Sequence, residues 1–328
     1  MIISRTPFRI SFVGGGSDLP IFYRKSAGRV ISATIDKYVY IASNKHFNSE
    51  EYLLRYSSVE SVASAELIRH DLFRAIIQRI KSMPGIEVNS IADIPAGTGL
   101  GSSSSFCVGT LLNLLTRERS PICSDKALLA QIACDVEIID LCEPIGKQDQ
   151  YAASFGGFNI YEFNSDDTVS VSPVNIPSPN ELLRHLRLYY LGKQRSASSI
   201  LSEQNREIET RNKHVVLQEM VNLVNPFCEA VSSCDWSSCG KLMNENWLLK
   251  KTLASGISDS FIQDVYEQGL KAGALGGKVL GAGGGGFMLF FIAPEKHELL
   301  DLAMKNLRKV SFGWDSDGAK IVYNDEAQ

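Results

Sequence analysis

The residues of this chain best suited to chemistry stand together at Pro95-Ala96-Gly97-Thr98-Gly99-Leu100-Gly101-Ser102-Ser103-Ser104, directly ahead of a run carrying Phe106, Leu111, Leu112, Leu114 and Leu115 at helical spacing. Glycines let backbone N–H groups converge, and a helix start adds unpaired donors and a positive dipole. The segment therefore predicts a cradle for a di- or triphosphate. Its serine hydroxyls can reach phosphate oxygens or a magnesium ion. It is not a Walker A loop, because the terminal Gly-Lys-Ser/Thr is missing. A flexible Gly/Ser linker is the competing reading, but linkers rarely join a proline-ended strand to a strongly apolar helix. A second glycine turn, Gly14-Gly15-Gly16-Ser17-Asp18, follows a strand-like run at Arg9 to Val13 and lets the backbone approach a ligand closely.

Other chemistries find no support. The five histidines, at 46, 70, 185, 214 and 297, lack metal-ligand spacing, so no zinc site is expected. The many serines come without a Gly-x-Ser-x-Gly elbow. Seven cysteines form no CxxC pair, and the odd count argues against a complete disulfide framework. With a formal charge of -4, broad attraction to nucleic acid or an anionic membrane is not expected, and an anionic substrate must be met by a few local basic groups. No long apolar run occurs, and Met1 to Arg5 do not open a secretion signal. The expectation is a cytoplasmic protein, neither secreted nor membrane-spanning.

The elements that must position these residues follow from periodicity. Val30 to Ile41 is β-like, and apolar residues between Ala65 and Ile80 follow helical spacing. A strand is expected near Ile86 to Ile91. Ser124 is a plausible N-cap for a helix bearing Leu128, Leu129, Ile132 and Val136, which breaks near Pro144 and Gly146. Polar, proline-containing sequence from Asn164 to Asn180 separates this half from a strand at Leu186 to Leu191 and from mainly helical sequence through Gly276. Strands at Lys278 to Gly281 and Phe287 to Ile292 flank a further glycine cluster, Gly283 to Gly286. A helix near Glu295 to Leu307 and a strand near Ala319 to Tyr323 complete the chain. The order is mixed, so a doubly wound parallel sheet is not indicated. Two domains are expected, 1–175 and 176–328.

The segment Pro95 to Ser104 resembles the P-x-x-x-G-L-G-S-S-S/A signature of the GHMP kinases, the family of galactokinase and of homoserine, mevalonate and phosphomevalonate kinases. Thr6-Pro7-Phe8-Arg9 followed by Asp18 is similar to the family's amino-terminal motif, and Lys278 to Gly286 to its carboxy-terminal glycine motif. Together these span nearly the whole chain. The resemblance implies a two-domain α+β GHMP kinase fold with the active cleft between the halves, and ATP with Mg2+ as cofactors. Within Gly146-Lys147-Gln148-Asp149-Gln150-Tyr151 it assigns Asp149 as the carboxylate facing the acceptor hydroxyl, with Arg9 beside it. Glu137, twelve residues earlier, stands where related kinases place a magnesium ligand, together with Ser103; Asp135 and Asp140 are rivals. Gly15, Gly16, Ser17 and Asp18 fall where substrate hydroxyls are held. Gly283 and Gly284 either face the substrate or serve close packing.

Within the family, Gly14 to Asp18, Ser32 to Tyr38, and Lys147 to Tyr151 followed by Phe155-Gly156-Gly157 look most like the branch acting on heptose 7-phosphates. Gly192-Lys193-Gln194-Arg195-Ser196-Ala197 resembles that branch's Gly-x-x-Arg-x-Ala segment, with Leu191 replacing its usual threonine. Lys193 and Arg195 are accordingly candidates for the substrate phosphate. The implied partners are a small-molecule sugar phosphate and ATP, with no nucleic acid and no membrane; homo-oligomerisation stays open. A fucose-type sugar kinase is the alternative. A catalytically silent ATP and sugar sensor is a further one, disfavoured by Asp149, Glu137, Ser103 and Arg9 occurring together.

Overall fold

Pro7 has no N–H to give to a sheet, yet it lies inside the first strand, β1 (Ile2–Val13). It is tolerated because the antiparallel register with β2 (Gly28–Lys45) shifts there: Pro7 opposes Tyr38 while Phe8 opposes Ile35. Irregularities of this kind are where strand prolines are found. Past the irregularity, alternation sends Phe8, Ile10 and Phe12 into the core and leaves Arg9 and Ser11 on a cleft wall.

The computed structural model describes residues 1–192, 197–208 and 211–325. Strands β3 (Tyr52–Arg55), β4 (Val59–Val62), β5 (Ile86–Ala92), β6 (Phe158–Phe163) and β7 (Val169–Pro173) join the first two in one sheet. A second, antiparallel sheet holds β8 (Leu186–Tyr190), β9 (Gly276–Val279), β10 (Phe287–Phe291) and β11 (Arg308–Val310), and the final β12 (Lys320–Asn324) returns to pair with β1. The first sheet runs β12-β1-β2-β5-β3-β4, with β6 on β2 and β7 on β6. The fold is thus mixed α+β with two sheets. Among the described residues no helix is long and apolar enough to cross a membrane.

One helix fixes the glycine-serine loop against the first sheet. In Ser102–Arg117, Val108, Leu111, Leu112, Leu114 and Leu115 are buried, each side chain stabilising by roughly 1.5–3 kcal/mol. Gly109 lets helix and strand touch, since a Cβ there would come 2.6 Å from Thr6 Oγ1. Asn113 Nδ2 donates to the carbonyls of Ile2 and Ile41 at 3.1 and 2.8 Å, pinning the helix along β1 and β2. The loop at its start is therefore held by a rigid element.

Several elements differ from expectation. The helix foreseen from Ala65 divides: Ala65–Leu67 is a 3-10 turn, and the α-helix is Asp71–Ile80, started by the His70 side chain accepting from the Phe73 N–H. Asp125 rather than Ser124 caps the helix Lys126–Cys134, accepting from Ala127 and Leu128 N–H at 3.0 and 2.9 Å, because Ser124 is spent in the turn Pro121–Ser124. That helix continues as a π-helical turn, Asp135–Asp140, a form that hydrophobic spacing does not reveal. The polar segment after Asn164 contributes β7. The carboxy-terminal helix is shorter, His297–Ala303, and one glycine-flanking strand begins earlier, at Gly276.

Candidate active site

The glycine-serine loop, the turn after β1 and the second glycine cluster converge on one cleft of about 250 Å3. Gly101 caps the helix Ser102–Arg117 in the left-handed region, φ 78°. The first N–H groups of an α-helix have no intrahelical partner, and here Ser102, Ser103 and Ser104 carry them at the cleft wall.

Asp149 lies in the first turn of the helix Gln148–Phe155. Arg9 holds its carboxylate at two points, Nε to Oδ1 at 2.7 Å and NH2 to Oδ2 at 2.6 Å, while NH1 donates to the Gly99 carbonyl at 2.6 Å. A planar fork of this kind fixes orientation as well as charge. Arg9 is 5% exposed and Asp149 27%, so the acid keeps an open side toward the cleft.

Glu137 projects from the π-helical turn and is 1% exposed. Ser103 Oγ donates to Oε1 at 2.7 Å; Ser104 Oγ and Gln150 Nε2 donate to Oε2 at 2.8 and 2.6 Å. Burial pushes the carboxyl up to about 7 despite these bonds, with Asp149 adding repulsion. Its rivals are occupied elsewhere. Arg79 grips Asp140 at 2.6 and 2.8 Å and approaches Asp135 at 3.5 Å, tying both ends of the π turn to the helix Asp71–Ile80.

Among the described residues no group of three or more His, Cys, Asp or Glu side chains is placed to hold a metal. A magnesium site of one carboxylate, a hydroxyl and phosphate oxygens needs no such group. Glu137 and Ser103 fit that pattern, and beside them Gln150 Oε1 is buried without a hydrogen-bond partner. The donor set is all oxygen, as this cation prefers.

Asp18 borders the same cleft. Gly16 N–H and Gln148 N–H donate to its two oxygens at 3.1 and 3.2 Å, and a Cβ on Gly146 would stand 2.0 Å from Oδ2, so glycine is required there. Burial, then the charge of Asp149, raises its carboxyl above the usual range.

Of the other expected residues, Gly15, Gly16, Gly97, Gly99 and Gly283 line the cleft. Ser17, Thr98, Leu100 and Gly284 do not. Ser17 Oγ donates to Gly14 O at 2.8 Å, Thr98 Oγ1 to Pro95 O at 3.0 Å, Leu100 enters the core, and Gly284 N–H donates to Ile257 O at 2.8 Å. These hold the turns together. Lys193 and Arg195 lie outside the described residues. The two glycine motifs also pack backbone to backbone: a Cβ on Gly99 would meet Leu280 O at 2.4 Å, and one on Gly286 would meet Thr98 O at 2.1 Å. Gly281 and Gly283 both pack closely and line the cleft, a Cβ on them meeting Gly99 Cα at 2.5 Å and Ile257 O at 2.8 Å, whereas Gly286 only packs and Gly285 lines the cleft.

Sequence reasoning missed Lys250. At the end of the helix Trp236–Lys250 it is 5% exposed, lines the cleft and donates to Gly281 O. Burial, then Arg9, push its ammonium down to about 8, against the pull of Asp18 and Asp149. Asn246, one turn earlier, accepts from Gly14 N–H at 2.9 Å, so this helix carries both the turn and the lysine. Only their i, i+4 spacing in the sequence hinted at a shared face.

Comparison with known proteins identifies the family. Residues 66–157 match the GHMP kinases N terminal domain and residues 229–308 the GHMP kinases C terminal model. The chain belongs to the GHMP kinase family and is an ATP-dependent phosphotransferase with an alcohol group as acceptor. It is 29% identical to a D-glycero-alpha-D-manno-heptose 7-phosphate kinase of Campylobacter jejuni, over 97% of this chain and 98% of that one. It is 25% identical to a galactokinase of Thermococcus kodakarensis, over 94% of each. Among solved structures, a D-glycero-D-manno-heptose 1-phosphate kinase from Bacteroides thetaiotaomicron superposes with a TM-score of 0.80 at 25% identity, covering 99% of this chain and all of that one (100%).

Proposed function

We propose that the chain transfers the γ-phosphoryl group of ATP to the anomeric hydroxyl of a heptose 7-phosphate, giving the 1,7-bisphosphate, a precursor for nucleotide-activated heptose. The reading is carried by one observation: the Asp149 carboxylate, clamped by Arg9, abuts Gly101 at the start of the helix Ser102–Arg117, where a phosphate chain would be gripped. Near-full-length likeness to the Campylobacter heptose 7-phosphate kinase supports the choice of sugar.

In this reading the N–H groups and hydroxyls of Ser102 to Ser104 hold the phosphates, and Glu137 with Ser103 holds Mg2+, which neutralises phosphate charge. A neighbouring cavity of about 410 Å3 shares Ser103 and Glu137 with the cleft and, lined also by Tyr56, Arg69 and His70, receives the nucleoside. Asp149 orients the acceptor hydroxyl and takes its proton as the oxygen attacks phosphorus; the bond to the β-γ bridging oxygen breaks and ADP leaves. Arg9 and Lys250 offset charge on the transferring group. Positioning and charge neutralisation supply most of the rate in such transfers. Asp18 receives sugar hydroxyls, and Lys193 and Arg195 meet the distal phosphate.

The test is ADP release with heptose 7-phosphate, heptose 1-phosphate, free heptose and L-fucose. Heptose 7-phosphate should give the highest kcat/KM. Faster turnover of free fucose would replace it with the fucose-type reading, and no transfer to any acceptor would return the silent sensor.

A further inference from the structure

Two buried amide nitrogens, on residues that adjoin the Asp18 turn, lack a partner among the described residues. Gln148 is 4% exposed and Gln204 1% exposed, and the Nε2 of each lacks a hydrogen-bond partner among the described residues. Both residues line the cleft, from different helices: Gln148 opens the helix Gln148–Phe155, whereas Gln204 lies in the helix Ala197–Ile208. Packing sets that second helix, because Leu19, just past Asp18, shares a core cluster with Ile200 and Ile208. Each residue adjoins the Asp18 turn. Gln148 gives its backbone N–H to Asp18 Oδ2, and Gln204 Nε2 lies 2.7 Å from where a Cβ on Gly16 would stand.

A buried N–H donor without an acceptor is costly, and native structures rarely keep one that a ligand or water does not satisfy. Two such donors in one cleft with the Asp18 carboxyl define a chemistry. Asp18 takes hydrogen bonds only, while the amide N–H groups only give them. Vicinal hydroxyls answer both, since each is donor and acceptor at once. A phosphate has oxygens for the amides but nothing to give Asp18, and its charge would repel the carboxylate.

We propose that Gln148 and Gln204 are specificity-determining residues that donate their side-chain N–H groups to neighbouring ring hydroxyls of the acceptor, so that this corner takes the polyol face of a sugar and the distal phosphate points elsewhere. The inference rests on the kinase reading above. It adds that recognition depends on particular hydroxyls, and that a deoxygenated acceptor leaves these amides unpaired. Sites built to pair a substrate hydroxyl discriminate strongly against the analogue that lacks it.

The experiment replaces each residue with a side chain of similar length and no donor, Gln148→Met and Gln204→Met. Rates are measured with heptose 7-phosphate, D-mannose and L-fucose, each alongside its monodeoxy analogues, together with the KM for ATP and the melting temperature. Each variant should lower kcat/KM for the best hydroxylated acceptor by about 10- to 100-fold, chiefly through acceptor KM, with ATP KM unchanged. Each should also lose the parent's discrimination at one ring position, different for the two residues. Unaltered discrimination at every position, or an equal rise in both KM values, would overturn the proposal. If the parent turns over none of these sugars, the substrate reading fails on its own, and calorimetric titration of the same sugars beside a non-hydrolysable ATP analogue decides the amides. Weaker binding in both variants then supports their role; no binding by the parent, or binding equal to it in the variants, rejects it.

Discussion

Gly101 and Asp149 stand side by side in the cleft: a Cβ on the glycine would lie 3.3 Å from the Asp149 Oδ2. The carboxylate therefore sits at the mouth of the helix whose first N–H groups face the same space, and Arg9 prevents it from turning away. Asp149→Asn keeps the size but weakens both the proton acceptor and the ion pair. It should bind nucleotide with parental affinity while kcat falls by about 10^2- to 10^4-fold. Parallel titration calorimetry and single-turnover kinetics check this, and parental kcat in the variant would remove Asp149 from the reaction.

Glu137 is separated from its acidic neighbours by the Arg79 clamp on Asp135 and Asp140. Glu137→Gln keeps acceptor and donor atoms for Ser103, Ser104 and Gln150 but removes the charge. Half-maximal rate should then need on the order of 10- to 100-fold more magnesium. An unchanged magnesium curve at fixed ATP would exclude Glu137 as ligand, whereas Asp140→Asn should alter stability with little effect on metal dependence.

Lys250 trades stability for charge in the cleft. Its folded pKa, about 8, is depressed from an ordinary value of 10.5. The folded state thus prefers the neutral amine: the stability contribution is fully present above pH 10.5, is lost as pH falls toward 8, and stays lost below. In the ligand-free protein, Lys250→Met should raise stability at pH 7 by on the order of 1–3 kcal/mol while slowing phosphoryl transfer. Melting curves between pH 7 and about 10 are the measurement; a destabilised variant at pH 7 would mean that the ammonium is well compensated.

The local motifs were legible because each is a backbone requirement written in consecutive residues. A chain that must turn at Gly97, Gly99 and Gly101 and then start a helix has few other spellings, and the resemblance carried Asp149, Arg9 and Glu137 with it. The π-helical turn escaped, because it adds residues to a helix without changing which types are apolar, and only the packing of Arg79 on its two ends makes it visible. Hydroxyls in glycine turns serve the turn as readily as a ligand, and those of Ser17 and Thr98 bond Gly14 O and Pro95 O.

From the order of its residues alone this chain determined two glycine turns whose backbone can approach a ligand, an acid in step with them, and a mixed α+β chain around them, since turns and helix starts depend on near neighbours. Tertiary structure decided which side chains share the cleft. Lys250 and Gln204 reach it from helices far along the chain, carried there by an apolar cluster that holds Leu19, Ile200 and Trp247 and involves neither residue. Convergence of that kind depends on how cores pack, a property of the whole chain that no local spacing encodes.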